Sequence, residues 1–340
     1  MAAVELLYQA ALDLTAPQAL VINAQPHPLL EQLQRHTGQL DLQQHFKPAY
    51  NAIRQHGLPV TATWPESEHQ YELILLLPAK NRQQTHAWMA RAMALLNSHG
   101  TLLFACANHH GAKSYQSALK TLAGQVASRS KAKCRLCSAH KTDAYNSALA
   151  AEWISNGEAR RIDAHGLISR PGLFSWIRAD AGSALLLEQL PALTGAGMDL
   201  CCGYGLLAAT LLRESDAGSP NSTTHIDLVE ADRLALDCAA ENTAKWRPRV
   251  STHWLDAAGE ALPAGLDWVV CNPPFHSGQQ RDVELGQAIV ARACDSLKSG
   301  GTLWLVANRQ LPYEHLLRSR LRQCEAAIER DGFKVIKGIR

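Results

Sequence analysis

The chain has 340 residues, 46% of them hydrophobic, and a formal net charge of +2. That length exceeds one ordinary core, so two domains are expected, and the near-neutral balance excludes a protein that holds nucleic acid by bulk charge alone. No basic segment with an apolar stretch behind it opens the chain, and no run of about 18 apolar residues occurs in it, so a soluble cytoplasmic protein is expected rather than a secreted or membrane-spanning one. Nine cysteines, among them Cys106, Cys201, Cys202 and Cys271, lie scattered in apolar runs and read as reduced thiols.

In chain order, the strand Ala19 to Ile22 runs into Asn23-Ala24-Gln25 without a glycine that would let a ligand approach. Glu72 to Leu77, closed by Pro78, reads as a further strand, and Ser98-His-Gly100-Thr-Leu-Leu-Phe104 as a turn entering another. Between Gly111 and Lys141 there is no acidic residue, while Lys113, Lys120, Arg129, Lys131, Lys133, Arg135 and Lys141 supply seven positive charges, enough for a phosphate-facing patch. A domain boundary is expected between Asp143 and His165, giving domains 1–150 and 165–340, with Gly166 and Pro171-Gly172 punctuating the entry to the second.

The second half alternates strands and helices. Met198 to Cys201 is expected to be a strand, Gly203 to Gly205 a turn, Leu206 to Arg213 the start of a helix, and the polar stretch Ser215 to Thr224 a loop insertion. His225 to Val229 follows as a strand and Ala231 to Trp246 as one long helix. Leu266 to Cys271 reads as a strand ending at Asn272, Val283 to Leu297 as a helix, Ser299 to Gly301 as a turn and Thr302 to Ala307 as a strand. This alternation predicts a doubly wound, mostly parallel sheet of the α/β class. Tyr71 to Asn108 echoes Leu266 to Asn308, which suggests a duplicated domain whose first copy carries Leu77 where the second has Asn272. The first copy is therefore expected to be a scaffold or RNA-docking domain.

Two segments carry chemistry. Asp199-Leu-Cys-Cys-Gly203-Tyr-Gly205 between a strand and a helix is the arrangement in which a glycine turn brings backbone N–H groups close to a ligand, and Glu230, closing the next strand, is placed to accept both hydroxyls of a ribose. Asn272-Pro-Pro-Phe275 follows an apolar strand directly. Two prolines fix the backbone there, so that the Asn272 side-chain oxygen and the Pro273 carbonyl can accept both hydrogens of one amine. An amine conjugated to a heterocycle is a poor nucleophile, and two such acceptors favour a pyramidal nitrogen whose lone pair can attack a methyl group in line. Phe275 offers a face for stacking an unpaired base. Cys134-Arg-Leu-Cys137 with His140 lacks the second ligand pair of a structural zinc site, His109-His110 and His276 meet the same objection, and no metal is expected.

The segments from Asp199 to Gly205, Asp267 to Gly278 and Gly300 to Tyr313, supported by Pro171-Gly-Leu-Phe174, Asp180-Ala-Gly-Ser183 and Phe333-Lys-Val335, resemble the ribosomal RNA guanine-N2 methyltransferases of the type acting on the small subunit. The resemblance is specific from Leu167 to Val335 and loose before it. It implies two tandem Rossmann-like class I methyltransferase domains, the first degenerate, and methyl transfer from S-adenosyl-L-methionine to the N2 amine of a guanine in 16S rRNA, leaving S-adenosyl-L-homocysteine. It further implies that Asp199, Cys201, Gly203, Gly205, Glu230 and Asp180 line the cofactor site, that Asp256 reaches the adenine, and that Asn272, Pro273, Pro274 and Phe275 hold the guanine. The small ribosomal subunit is the implied partner of a monomer. Two positions depart from the family pattern: Cys201 stands at the first glycine of the loop, adding a side chain beside the donor site, and Trp176-Ile177 replaces a frequent Arg-Asp pair. Three other readings stay open: the large-subunit (23S) counterpart, methylation of a glutamine amide (where the fourth residue is typically Tyr), and a non-catalytic RNA-binding ribosome-assembly protein.

Overall fold

The computed structural model describes residues 2–66, 70–216, 223–274 and 280–340, the side chains of 280–282 excepted. The chain forms two compact units, Met1–Glu158 and Ala159–Arg340. In the first, α1 (Ala2–Leu12) precedes β1 (Gln18–Ile22), α2 (Pro28–His36), β2 (Gln39–Gln43), α3 (Lys47–Gln55), β3 (Tyr71–Leu76), α4 (Arg82–Leu95), β4 (Leu96–Ala107), α5 (Ala112–Ala123), β5 (Ala127–Lys131), β6 (Cys134–His140) and α6 (Ser147–Asn156). The six strands order as β2-β1-β3-β4-β6-β5, the first four parallel and the last two antiparallel. The central strands are apolar on both faces because helices cover both sides; Ile74, Leu75 and Leu76 of β3 are all buried. Helix starts are set by short polar caps, as where Asn81 Oδ1 accepts from the Gln84 N–H at 3.0 Å.

The second unit begins with a short hairpin, β7 (Arg160–Ile162) and β8 (Leu167–Ser169), then α7 (Ala181–Gln189), β9 (Gly195–Leu200), α8 (Leu206–Asp216), β10 (Thr223–Glu230), α9 (Arg233–Asn242), β11 (Val250–Trp254), β12 (Leu266–Cys271), α10 (Gln280–Ser296), β13 (Leu297–Asn308), α11 (Tyr313–Arg320), β14 (Gln323–Arg330) and β15 (Phe333–Ile339). Its sheet runs β11-β10-β9-β12-β13-β15-β14, with five parallel strands and an antiparallel pair at one edge. The expected α/β class and mostly parallel sheet are thus observed in both units. β9 lies between β10 and β12 and parallel to both, so the chain leaving each of these three strands emerges at one edge of the sheet.

Three local expectations are corrected. The single helix expected from Ala231 to Trp246 is α9 followed by a 3-10 segment, Ala244–Arg249. It starts late because Asp232 acts as its cap, its Oδ1 accepting from the Leu234 N–H at 2.9 Å, and it stops because Asn242 spends its carboxamide on Ile168 and Tyr204. The turn expected at Ser299 to Gly301 lies inside β13 as an irregularity of register: Leu266 faces Leu297, yet Trp268 faces Thr302. In the Ser215 to Thr224 stretch, Ser215 and Asp216 belong to α8 and Thr223 and Thr224 to β10, and the residues between lie outside those described.

The echo between the halves is physical. The same slip occurs in the first unit, where Tyr71 faces Leu96 while Leu73 faces Thr101. Gly100 and Gly301 close these slips against equivalent carbonyls: a Cβ would stand 2.9 Å from Tyr71 O in one and 2.8 Å from Leu266 O in the other. Glu72 accepts the N–H of Gln18 at 2.8 Å, and Asp267 that of Ala196 at 2.9 Å. Asn23 and Cys201, the first residues after β1 and β9, both take left-handed backbone, with φ of 56° and 62°. The first unit has a single parallel bridge, Gln43 to Thr61, where the second pairs β10 with β11.

Candidate active site

The loop from β9 to α8 is built around two buried carboxyls. Asp199, last but one in β9, has no exposure to solvent, and its Oδ2 accepts the Ala208 N–H in the first turn of α8 at 3.0 Å. Its Oδ1 is buried with no hydrogen-bond partner. Burial, reinforced by the nearby Glu230 carboxylate and opposed by the Ala208 bond, pushes the Asp199 carboxyl up to about 7. The loop then doubles back on β10: the N–H groups of Cys201 and Cys202 both bond Val229 O, at 2.9 and 3.1 Å. Gly203, with φ of 54°, gives its N–H to Glu230 Oε2 at 2.8 Å. A Cβ at Gly203 would meet nothing within 4 Å, so this glycine faces open space. Gly205 N–H closes the turn on Cys202 O at 2.8 Å.

Glu230 holds the loop from the other side. Its Oε1 accepts the N–H groups of Ala231 and Asp232 at 2.8 and 3.0 Å, while burial raises its pKa. The strand-end carboxylate is therefore fixed by backbone, with lone-pair capacity to spare. Asp256 sits half-buried beyond β11, where its Oδ1 takes the Ala258 N–H at 3.0 Å and its own N–H bonds Glu260 Oε2 at 2.7 Å. Leu255 N–H bonds Glu230 O at 3.1 Å, which ties this turn to the β10 end.

Cys201, the departure from glycine, does not project from the loop. Its side chain is partly buried and packs against the core cluster that includes Cys271, at the end of β12. The neighbouring Cys271 thiol first, and then burial, drive its pKa well up. The Tyr313 hydroxyl, also buried and without a hydrogen-bond partner, lies in the same region; burial, with Cys271 and Cys201 nearby, pushes it up to about 12.

Asn272 follows β12 and is half-buried, Pro273 is buried and Pro274 exposed. The Asn272 Nδ2 group donates to Ser183 Oγ at 2.8 Å and to Asp180 Oδ2 at 3.1 Å, while its Oδ1 is buried with no partner. Asp180 also caps α7, the same Oδ2 accepting the Ser183 N–H at 2.9 Å. Phe275 and His276 lie outside the described residues. The structure thus brings Asp199, Cys201, Gly203, Gly205 and Glu230 together in one loop system, and joins Asp180 to Asn272. Ser183, whose hydroxyl the sequence reading left out, is the other partner of Asn272; Asp180 followed three residues later by Ser183 was the visible signal of a cap. Phe174 and Ile177, on the segment entering α7, are 60% and 57% exposed.

In the first unit, Lys113, Lys120, Arg129, Lys131 and Lys133 are exposed, and β5 is exposed along its whole length. Arg135 and Lys141 are instead turned onto the protein, Arg135 on Gln116 and Lys141 on the carbonyls of Ala94 and Leu96. Five of the seven positive charges remain available for a polyanion. Cys134 and Cys137, three apart on β6, lie on opposite faces of the strand, and His140 Nδ1 contacts the Thr101 hydroxyl at 3.0 Å. Among the described residues no group of three or more His, Cys, Asp or Glu gathers in a metal-holding arrangement, and no helix is long and apolar enough to cross a membrane.

Residues 164–337 match the family described as Methyltransferase small domain, and residues 5–156 that described as Methyltransferase small domain N-terminal. Among curated proteins, the ribosomal RNA small subunit methyltransferase C of Hahella chejuensis is 33% identical over 181 residues, 53% of this chain and 51% of that protein. Its namesake in Pseudomonas entomophila is 36% identical over 179 residues, 51% of each. The chain spans about half the length of the curated relatives it matches. Among solved structures, the T. thermophilus 16S rRNA N2 methyltransferase in complex with AdoMet and guanosine superposes with a TM-score of 0.80, covering 99% of this chain and 91% of that one at 23% identity, which establishes a shared fold.

Proposed function

Because the chain belongs to the Methyltransferase small domain family, we propose that it transfers a methyl group from S-adenosyl-L-methionine to the N2 amine of a guanine in the 16S rRNA of the small ribosomal subunit. The observation that carries this reading is the Asn272 carboxamide. Its nitrogen is held by Asp180 and Ser183, and its oxygen is left as a buried, unused acceptor. A buried acceptor without a partner costs about 1–3 kcal/mol, a cost that a donor supplied by the substrate removes.

The loop fits a nucleoside-bearing methyl donor. Gly203 faces open space, Asp199 Oδ1 is an unpartnered polar atom beneath the loop, and Glu230 is fixed at the end of the adjacent strand. We assign Asp199, Cys201, Gly203, Gly205 and Glu230 to the cofactor, with Asp256 on the adenine side and Asp180 at the border with the base. When bound, S-adenosyl-L-methionine supplies an electrophilic sulfonium methyl and leaves as S-adenosyl-L-homocysteine. Asn272 Oδ1 and the Pro273 carbonyl accept the two hydrogens of the guanine amine, so its lone pair leaves conjugation with the ring. The amine so oriented would take up the methyl as the sulfonium gives up its sulfur–carbon bond, and one amine proton would pass to solvent. Pro274 stiffens this corner, and Phe275 stacks on the base.

The first unit, domain 1–150 of the sequence reading, serves as a scaffold that docks RNA through Lys113, Lys120, Arg129, Lys131 and Lys133. A cytoplasmic monomer is the matching setting, since nine unbridged cysteines suit a reducing compartment. Purified protein with labelled S-adenosyl-L-methionine is expected to methylate small subunits or 16S rRNA, and primer extension to place the modified guanine in 16S rather than 23S rRNA. Asn272→Ala is expected to abolish transfer while leaving cofactor affinity within about threefold of wild type, since it removes an acceptor used only by the amine. Loss of cofactor binding together with transfer would place the site elsewhere.

A further inference from the structure

We propose that Asp180 and Ser183 are positioning residues that lock the Asn272 carboxamide with its oxygen toward the substrate, and so restrict the target to a hydrogen-donating amine; this rests on the reading of Asn272 given above. A free asparagine amide turns either face outward with nearly equal ease. At Asn272 the choice is made by chemistry: a carboxylate can only accept hydrogen bonds, so the amide nitrogen must face Asp180 Oδ2, 3.1 Å away. The Ser183 hydroxyl, 2.8 Å from the same nitrogen, fills its second hydrogen. Both donors of the amide are spent, and Oδ1 alone remains. An amine then finds an acceptor. A ring nitrogen or a carbonyl oxygen would meet lone pair with lone pair and be rejected.

The lock spans 92 residues of sequence between Asp180 and Asn272, and α7 supplies it ready-made. Asp180 is the cap of that helix and Ser183 lies in its first turn, so the carboxylate is already oriented by the Ser183 N–H at 2.9 Å. Gly182 leaves room for it: a Cβ there would come within 3.0 Å of both Asp180 Oδ2 and the Phe333 ring. A helix cap alone would explain the Asp180–Ser183 contact, but not why the same oxygen also takes the Asn272 amide.

Two substitutions separate the roles. Asp180→Asn keeps an oxygen where Oδ2 stands, serving both the cap and Asn272. Asp180→Ser caps a helix equally well, but its oxygen is one bond shorter and falls away from Asn272. With wild type, Asp180→Asn, Asp180→Ser, Ser183→Ala and Asn272→Ala purified side by side, kcat on small subunits is expected to be about tenfold or more higher for Asp180→Asn than for Asp180→Ser. It should fall about tenfold or more below wild type for Asp180→Ser and for Ser183→Ala, with KM for S-adenosyl-L-methionine moving far less than kcat in both. A cap with no positioning role predicts equal kcat for Asp180→Asn and Asp180→Ser. If Asn272→Ala is inactive while Asp180→Ser and Ser183→Ala turn over like wild type, the lock is refuted and the function stands. If Asn272→Ala itself retains wild-type kcat, both fall together.

Discussion

Replacing Asp199 by Asn is expected to stabilise the second unit at alkaline pH and destabilise it at acid pH. Asp199 has no exposure, and burial first, then the Glu230 charge, moves its carboxyl from 3.8 to about 7, the Ala208 N–H opposing. The folded state therefore binds this proton more tightly than the unfolded chain does. Below pH 3.8 both states hold it; between there and about 7 the unfolded state releases it first, so stability from this group declines as pH rises and stays low above 7. The span corresponds to about 4 kcal/mol as an order of magnitude. Asn keeps the acceptor for Ala208 and carries no charge, but its amide nitrogen replaces the unpartnered Oδ1 and costs about 1–3 kcal/mol. The net expectation is a gain of about 1–3 kcal/mol at pH 8, roughly 5 °C in thermal midpoint for a unit of this size, and a loss of similar size near pH 4. Thermal unfolding of both proteins across pH 4–8 checks it, and calorimetry should show cofactor affinity weakened about tenfold or more by the same change. Midpoint differences of the same sign and size at both ends of that range would refute a buried, proton-retaining Asp199.

Two further outcomes follow from the site and the surface. Cys201→Gly removes a left-handed non-glycine residue, a relief of about 1 kcal/mol, at the cost of the thiol contact with Cys271. Because that thiol packs downward, calorimetry should find cofactor affinity within about threefold; a tenfold gain would mean the side chain crowds the donor after all. Changing Lys113, Lys120, Arg129, Lys131 and Lys133 to Ala together should weaken binding to a 16S rRNA fragment and reduce the slope of log K against log salt by about 3–4, as counted by anisotropy titrations. Arg135→Ala and Lys141→Ala, whose charges face the protein, should leave that slope alone and lower the thermal midpoint instead.

What the sequence made legible is what depends on short-range pattern. The apolar runs at Leu266 to Cys271 and Glu72 to Leu77 can only be buried strands once helices flank them, so a mostly parallel sheet, with Asp199, Glu230 and Asn272 at the ends of its strands, follows closely. Contacts between distant side chains were not legible. Asp180 read as a cofactor residue because its neighbours resemble a family segment, whereas its bond to Asn272 depends on how α7 lies beside the end of β12. The break after Asn242 escaped because it depends on the distant Ile168 backbone, and helix periodicity alone runs on through Trp246. Likewise seven basic residues in sequence became five on the surface, since strand alternation turned Arg135 to Gln116 and the end of β6 brought Lys141 onto α4.

The silent first unit also bears on how the second handles an amine. Its Asn23, in the place of Cys201, sends Nδ2 to Pro78 O at 3.2 Å and, more weakly, to Leu77 O at 3.5 Å, and its N–H bonds Gln43 Oε1 at 3.2 Å as Gly203 bonds Glu230. Gln25 and Gln44 close on Asn23 Oδ1, both at 3.3 Å. Neutral amides of the chain thus occupy the corner that glycine and open space leave free in the second unit. Pro78 stands in the place of Pro273, so the carbonyl at that position is already seen accepting from an –NH2 group, one supplied by the chain itself. Where Leu77 stands for Asn272 the second acceptor is gone, and no substrate is needed to satisfy the first. The same backbone corner is thus filled in the first copy by an amide –NH2 of the chain itself, and the proposed function puts the guanine amine in its place in the second.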